Sequence, residues 1–120
     1  ERADRALERK ERNEELLRAL EERKERGKVS EREYERLLKT YRREVKDAQA
    51  ELDLMRPLLE REVRRLEQEV TNLREEYGIL REKLAPSKED RARLKHVEAL
   101  IRMKERALGD LRARLRRMAA

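Results

Sequence analysis

Apolar residues recur every three or four positions through the centre of this sequence, and no other feature constrains the fold as strongly. Between residues 31 and 84 they fall at Tyr34, Leu38, Tyr41, Val45, Ala48, Leu52, Met55, Leu59, Val63, Leu66, Val70, Leu73, Tyr77, Leu80 and Leu84. The steps alternate between four and three, except at Met55–Leu59–Val63, where two fours stand together. Such alternation is a heptad seam, the period at which a helix keeps one apolar edge turned toward a neighbouring helix. The doubled four is a stutter, which locally unwinds a left-handed supercoil. Pro57 lies inside it and lacks the N–H that a helix interior uses, so a kink is expected there.

Two places interrupt the helical pattern. At Arg26-Gly27-Lys28-Val29-Ser30, Gly27 is suited to the left-handed conformation that ends helices. Ser30 and Glu33 then have the spacing of a capping box, in which each side chain accepts a backbone N–H of the other. At Leu84-Ala85-Pro86-Ser87, the proline disfavours helix at the residue before it. Ser87 can cap the third helix, with Glu89 and Asp90 in the first turn, where the helix dipole favours acids. The pattern predicts helices over 2–26, 31–84 and 88–118, with turns at 27–30 and 85–87.

The third segment repeats the seam at Leu94, Val97, Ile101, Lys104, Leu108, Leu111, Leu115 and Met118, interrupted only by Lys104. The first is sparser, with Ala3, Ala6, Leu7, Leu16, Leu17 and Leu20 and nothing apolar from Glu8 to Glu15. Acid-before-base pairs four apart (Glu1–Arg5, Glu8–Arg12, Glu14–Arg18, Glu22–Arg26) support it as a helix. Each such pair contributes roughly 0.2–0.5 kcal/mol.

Short turns make consecutive helices antiparallel neighbours. The expected fold is all-α, an elongated three-helix antiparallel coiled-coil rod. The first helix packs on the first half of the long one and the third on its second half, changing over near Pro57. Leu37, Leu54, Leu58, Ile79 and Leu100 widen the apolar stripe beyond a two-helix seam, which is the pattern of a bundle. Two such rods are therefore expected to pair into a dimeric helical bundle. The interface residues are expected to be Leu38, Tyr41, Val45, Leu52, Leu59, Leu66, Val70, Leu73, Tyr77, Leu80, Ile101 and Leu108.

Composition agrees with this reading. Charged residues make up 52% of the chain and there is no Phe or Trp, so a large compact core is excluded. Ala, Glu, Lys, Arg and Leu account for 88 of the 120 residues, a bias typical of long helices. The net charge of +6 is small and the signs are finely mixed, which argues against disorder. Without cysteine there is neither disulfide nor thiolate metal site. No apolar run approaches a membrane span and no signal-peptide pattern is present, so a cytoplasmic location is expected. The sequence begins at Glu1 rather than Met and is expected to be a piece of a longer chain. Few amides and abundant Arg and Glu fit a heat-adapted source.

Residues that carry chemistry are nearly lacking. The one histidine, His96, sits among charged neighbours as a solvated side chain. Acid pairs such as Glu8/Glu11 and Glu75/Glu76 lie among Arg and Lys at ordinary helix spacing, as expected of a solvated face rather than a general acid and base. Ser30 and Ser87 are accounted for as caps, and Gly27, Gly78 and Gly109 form no phosphate loop. Inside predicted helices, Gly78 and Gly109 each cost roughly 1 kcal/mol against Ala; they either admit another helix closely or are simply tolerated. Tyr34, Tyr41 and Tyr77 fall on the seam, as core residues whose hydroxyls reach the rim. No enzymatic activity, cofactor, metal or small-molecule substrate is expected.

Charge placement is more informative. Residues 1–26 hold nine bases and nine acids, residues 28–84 fourteen of each, and residues 85–120 eleven bases against five acids. The excess peaks at Arg112, Arg114, Arg116 and Arg117, around a Leu/Met stripe. Basic residues there complement the negative end of a helix dipole. The alternatives are an acidic protein partner, an anionic membrane surface or a nucleic-acid backbone.

The run Gly27-Lys28-Val29-Ser30-Glu31-Arg32-Glu33-Tyr34-Glu35-Arg36-Leu37 comes after a helix containing Leu17-Arg18-Ala19-Leu20 and leads into a long charged helix. It resembles the coiled-coil region of archaeal cell-division protein A. The same turn is similar to SHOCT-type oligomerisation modules. The first family recruits ESCRT-III-like polymers to the division site, so the resemblance implies an adaptor in a cell-division or cytoskeletal assembly. The expectation is thus a structural scaffold that forms a homodimer and recruits a protein partner.

Overall fold

The computed structural model describes residues 2–119. They form three helices, α1 (Arg2–Glu25), α2 (Glu31–Arg81) and α3 (Lys88–Ala119), and no strand among the described residues. The all-α fold and the order of a short, a very long and a medium helix are as the periodicity predicts.

The first turn is built from backbone bonds. Gly27 adopts φ 67°, open to it because it has no Cβ. Gly27 N–H donates to Lys24 O at 3.0 Å and Lys28 N–H to Arg23 O at 2.8 Å, the paired bonds of a Schellman ending. Ser30 then caps α2: its Oγ accepts Glu33 N–H at 3.2 Å, and its carbonyl accepts Tyr34 N–H at 2.8 Å. The reciprocal capping box sits at the second turn instead. There Ser87 Oγ accepts Asp90 N–H and Asp90 Oδ2 accepts Ser87 N–H, both at 3.0 Å. Those bonds, with that of Lys83, hold the Asp90 carboxyl below the usual carboxylate range.

The second turn begins earlier than expected, because α2 ends at Arg81 rather than at residue 84. Its final turn closes with Glu82 N–H on Gly78 O at 3.2 Å. Leu84, the last apolar residue of the sequence pattern, is fully exposed in the turn. Pro86 offers no N–H and disfavours helix at Ala85, so the chain leaves the helix before the pattern runs out.

The helix runs through Pro57 without interruption. Packing divides there, into one unit ending at Pro57 and a second comprising Leu58–Ala119. In the first unit α1 lies antiparallel to residues 31–57 of α2. Arg2 bonds Glu51 at 2.6 Å and Arg9 bonds Glu44 at 2.6 Å, while Tyr34 OH donates to Glu21. Its buried side chains are Ala3, Ala6, Leu7, Asn13 and Leu20 from α1 and Tyr34, Ala48 and Leu52 from α2. In the second unit α3 lies antiparallel to residues 58–81. Leu66, Val70 and Leu108 form a buried cluster, with Val63, Ala107 and Leu111 packed against it.

Candidate interaction surfaces

The seam serves packing within the chain. Of the positions expected to carry contacts, Leu52, Leu66, Val70 and Leu108 are buried. Leu38, Tyr41, Val45, Leu59, Leu73, Tyr77, Leu80 and Ile101 are half-buried. The two tyrosines with assigned hydroxyl bonds behave as rim-reaching core residues. Tyr34 OH donates to the Glu21 carboxylate, which pushes its phenol above the ordinary range, and Lys24 Nζ stands 4.2 Å from the ring centroid. Tyr77 OH accepts from Arg81 Nη1 at 3.1 Å.

Charges form the walls on either side. Arg9 bonds Glu44 and also reaches Asp47 at 3.8 Å, holding the Glu44 carboxyl below its ordinary range. In the second unit Arg93 grips Glu76 through Nε and Nη2 at 2.6 and 2.9 Å. Lys104, the one charge in the α3 seam, donates to Glu69 at 2.6 Å, and this bond leads in lowering the Glu69 carboxyl. Arg65 joins Glu69 to Glu62 along α2. Among the described residues, the pairs Glu8–Arg12, Glu14–Arg18 and Glu22–Arg26 form no ion pair. The α1 arginines that do bond, Arg2 and Arg9, reach across to α2 instead. The remaining expected pair involves Glu1, which lies outside the described residues.

Asn13 escaped the apolar pattern. It is 8% exposed and its Nδ2 donates to Arg9 O at 2.8 Å. Its signal is positional, since Ala6, Asn13 and Leu20 are seven apart, so Asn13 fills a seam position with a polar side chain.

At about 100° per residue, Arg112 and Arg116 lie about 40° apart on one face of α3, Arg117 stands about 100° further round, and Arg114 points to nearly the opposite side. Arg112 donates to Glu67 at 2.7 Å, Arg114 is half-buried with a partner, Arg117 is exposed with a partner, and Arg116 is exposed.

Beside the α3 seam, Leu100, Met103 and Ala107 each precede a seam position by one residue; Met103 is 62% exposed, whereas Leu100 is half-buried and Ala107 packs on the Leu66–Val70–Leu108 cluster. Leu58 and Ile79 on the same unit's α2 segment are also exposed, as is Leu54 in the first unit. A methyl group at Gly78 or Gly109 would meet no atom within 4 Å, so neither glycine admits a neighbouring helix of this chain.

A groove between α2 and α3, about 480 Å³, is open to solvent and walled by Arg74, Glu105 and Arg112 over Val70 and Leu108. His96 is exposed, and no group of three potential metal ligands occurs among the described residues. No helix there is long and apolar enough to cross a membrane. Comparison with known families, curated proteins and solved structures finds no match to this chain.

Proposed function

We propose that this chain is a cytoplasmic, non-catalytic scaffold module that self-associates as a homodimer and recruits a protein partner. The observation that carries the reading is the large apolar side chains left in solvent while the chain's own seam is occupied: Leu58, Ile79 and Met103 of the second unit are 60%, 66% and 62% exposed. Apolar side chains on long helices are normally covered by a further helix. The likeness of the Gly27–Leu37 turn to cell-division and oligomerisation modules supports the same class of role.

Sedimentation at micromolar concentration and high salt tests it. The expected result is a dimer for the parent chain. Met103→Glu, an exposed position, should give a helical monomer, whereas Leu66→Asp should lose helicity by placing a charge in the packed seam. A parent chain that is monomeric, or a Met103→Glu variant that still dimerises, removes the reading.

A further inference from the structure

The second unit has two sides that differ in kind. α2 and α3 are joined on one side by Glu69 with Lys104, Glu76 with Arg93 and Lys83 with Asp90, and on the other by Arg74 with Glu105 and Glu67 with Arg112. At about 100° per residue, Leu58 lies about 40° round α2 from Glu62, and Ile79 about 40° from Lys83, both on the first side. Met103 stands on that side of α3, about 40° from Ala107, which is two heptads on from Arg93. The acids there are neutralised within the chain: Glu62 and Glu69 by Arg65, Glu69 also by Lys104, and Glu76 by Arg93. The other side presents Arg64, Thr71, Lys95 and Arg102, and none of the exposed large apolar side chains.

Heights along the unit follow from the same pairs. Cross-helix partners have residue numbers that add to 169 or 173 on the first side and to 179 on the other, so residues adding to about 174 stand level. Met103 is then level with Thr71 and Ala107 with Glu67. Their midpoint on α2, position 69, falls within one residue of the midpoint of Leu58 and Ile79, position 68.5. A two-fold axis crossing the first side there, at right angles to the helices, serves both pairs at once. It lays α2 on α2 and α3 on α3 of a second copy, antiparallel, with Ile79 on Leu58 and Met103 on Ala107. An axis along the helices instead sets α2 against α3 at equal height. The apolar side chains then meet polar ones: Ile79 meets His96, Met103 meets Asn72 and Leu58 meets Arg117.

We propose that two copies of this chain dock through this side of the second unit, antiparallel about the crossing axis. The inference rests on the homodimer reading above and specifies its geometry. The contact is isologous, so it closes at two copies. Residues 58–81 of α2 run about 36 Å, and two helices side by side are about 20 Å wide. The dimer therefore buries about 1,400 Å² in all, within the roughly 1,200–2,000 Å² of stable interfaces. Glu62, Glu69 and Glu76 approach their counterparts across the contact, each already carrying a cation of its own chain. Leu100, half-buried in the single chain, faces the Asp110 carboxylate of the second copy.

The chain has no cysteine, so introduced thiols report the contact without background. In the whole chain, with helicity checked by circular dichroism, Ile79→Cys mixed with Leu58→Cys should give a disulfide-linked dimer under mild oxidation. Neither variant should cross-link alone, because identical positions stand about 31 Å apart along the contact, far beyond disulfide reach. Asp110→Ala should tighten the dimer in sedimentation, since it takes a carboxylate away from Leu100. In the parallel arrangement Asp110 faces Arg65, and the same change would weaken the dimer about two- to thirtyfold, the factor for losing two exposed ion pairs. The proposal is overturned by a weakened Asp110→Ala dimer, or by Ile79→Cys cross-linking to His96→Cys in place of Leu58→Cys. A dimer without the Ile79–Leu58 cross-link removes this geometry alone, whereas a parent chain that sediments as a monomer removes the homodimer reading with it.

Discussion

Replacing Gly109 by alanine should stabilise this chain, by an amount the structure lets one work out. Gly109 lies well inside α3, where glycine costs about 0.8–1.0 kcal/mol relative to alanine because the unfolded chain has more freedom to lose. The opposing cost, a clash, is missing: the added methyl meets no atom within 4 Å. The position is exposed, so the methyl gains no burial either. The net is a gain of about 1 kcal/mol. Unfolding entropy of about 2.1 cal/mol/K per residue over 120 residues converts this to a rise in Tm of about 4 °C. If the 62 residues of Leu58–Ala119 melt alone, the same gain gives about 8 °C. Thermal denaturation followed by circular dichroism measures it. An unchanged or lowered Tm would refute the reasoning. A fall in Tm together with loss of assembly would show that another chain's helix lies against Gly109.

Two further perturbations test the packing and the charges. Leu66→Ala empties part of the Leu66–Val70–Leu108 cluster and should cost about 2–3 kcal/mol, the low end for buried leucines because a thin layer can close over the gap. Leu54→Ala, at a position 72% exposed, should stay within about 0.5 kcal/mol in urea denaturation; equal losses at the two sites would contradict the assigned core. For pH, the carboxyls of Glu44, Glu62, Glu69 and Glu76 are lowered from an ordinary value of 4.5, each chiefly by a bonded Arg or Lys. A lowered folded value means stability that is complete above about pH 4.5 and is lost as pH falls through it. Tyr34, raised above its ordinary 10.0 by the Glu21 bond, has the opposite sign, with stability complete below pH 10 and lost above it. Tm should therefore be flat from about pH 5 to 9 and fall on both sides, and a decline beginning near neutrality would contradict these assignments.

Helix order and turn positions were legible because each rests on local chemistry: a three-and-four period, Gly27 with Ser30, Pro86 with Ser87. The features that escaped depend on where the chain has turned. Leu84 continues the period, yet lies past the reversal with nothing left to pack against. Along the sequence Arg112, Arg114, Arg116 and Arg117 look alike, yet the helix angle turns Arg114 away from the face that Arg112 and Arg116 share. For Arg9, acids on α1 and on α2 are both within the reach of an argument from spacing. Only the fold shows that Glu44 and Asp47 are its partners. Asn13 was legible in principle, from its place between Ala6 and Leu20, but a count of apolar residues passes over it.

Register is the property that the seam alone leaves open. A heptad pattern is satisfied again after a slip of seven residues, so apolar contacts do not choose between registers. The cross-helix ion pair at Lys104 does not choose either. Its partner Glu69 has a glutamate seven residues away on each side, Glu62 and Glu76, and a slipped α3 would meet one of them. Arg93 and Arg112 oppose only the slip that takes Lys104 to Glu76, since it would set them against Lys83 and Arg74 in place of Glu76 and Glu67; against the other slip, what remains is the connection itself. Between Arg81 and Lys88 the chain has six residues in which to reverse. The Ser87–Asp90 box fixes where α3 begins, and the 3.0 Å bond from Lys83 to Asp90 ties that start to the end of α2. A slip of one heptad would shift α3 by about 10.5 Å along α2, which would tear Lys83 from Asp90 and extend a turn that has no slack. The turn residues therefore select the register, and the seam and its charges stabilise the one selected.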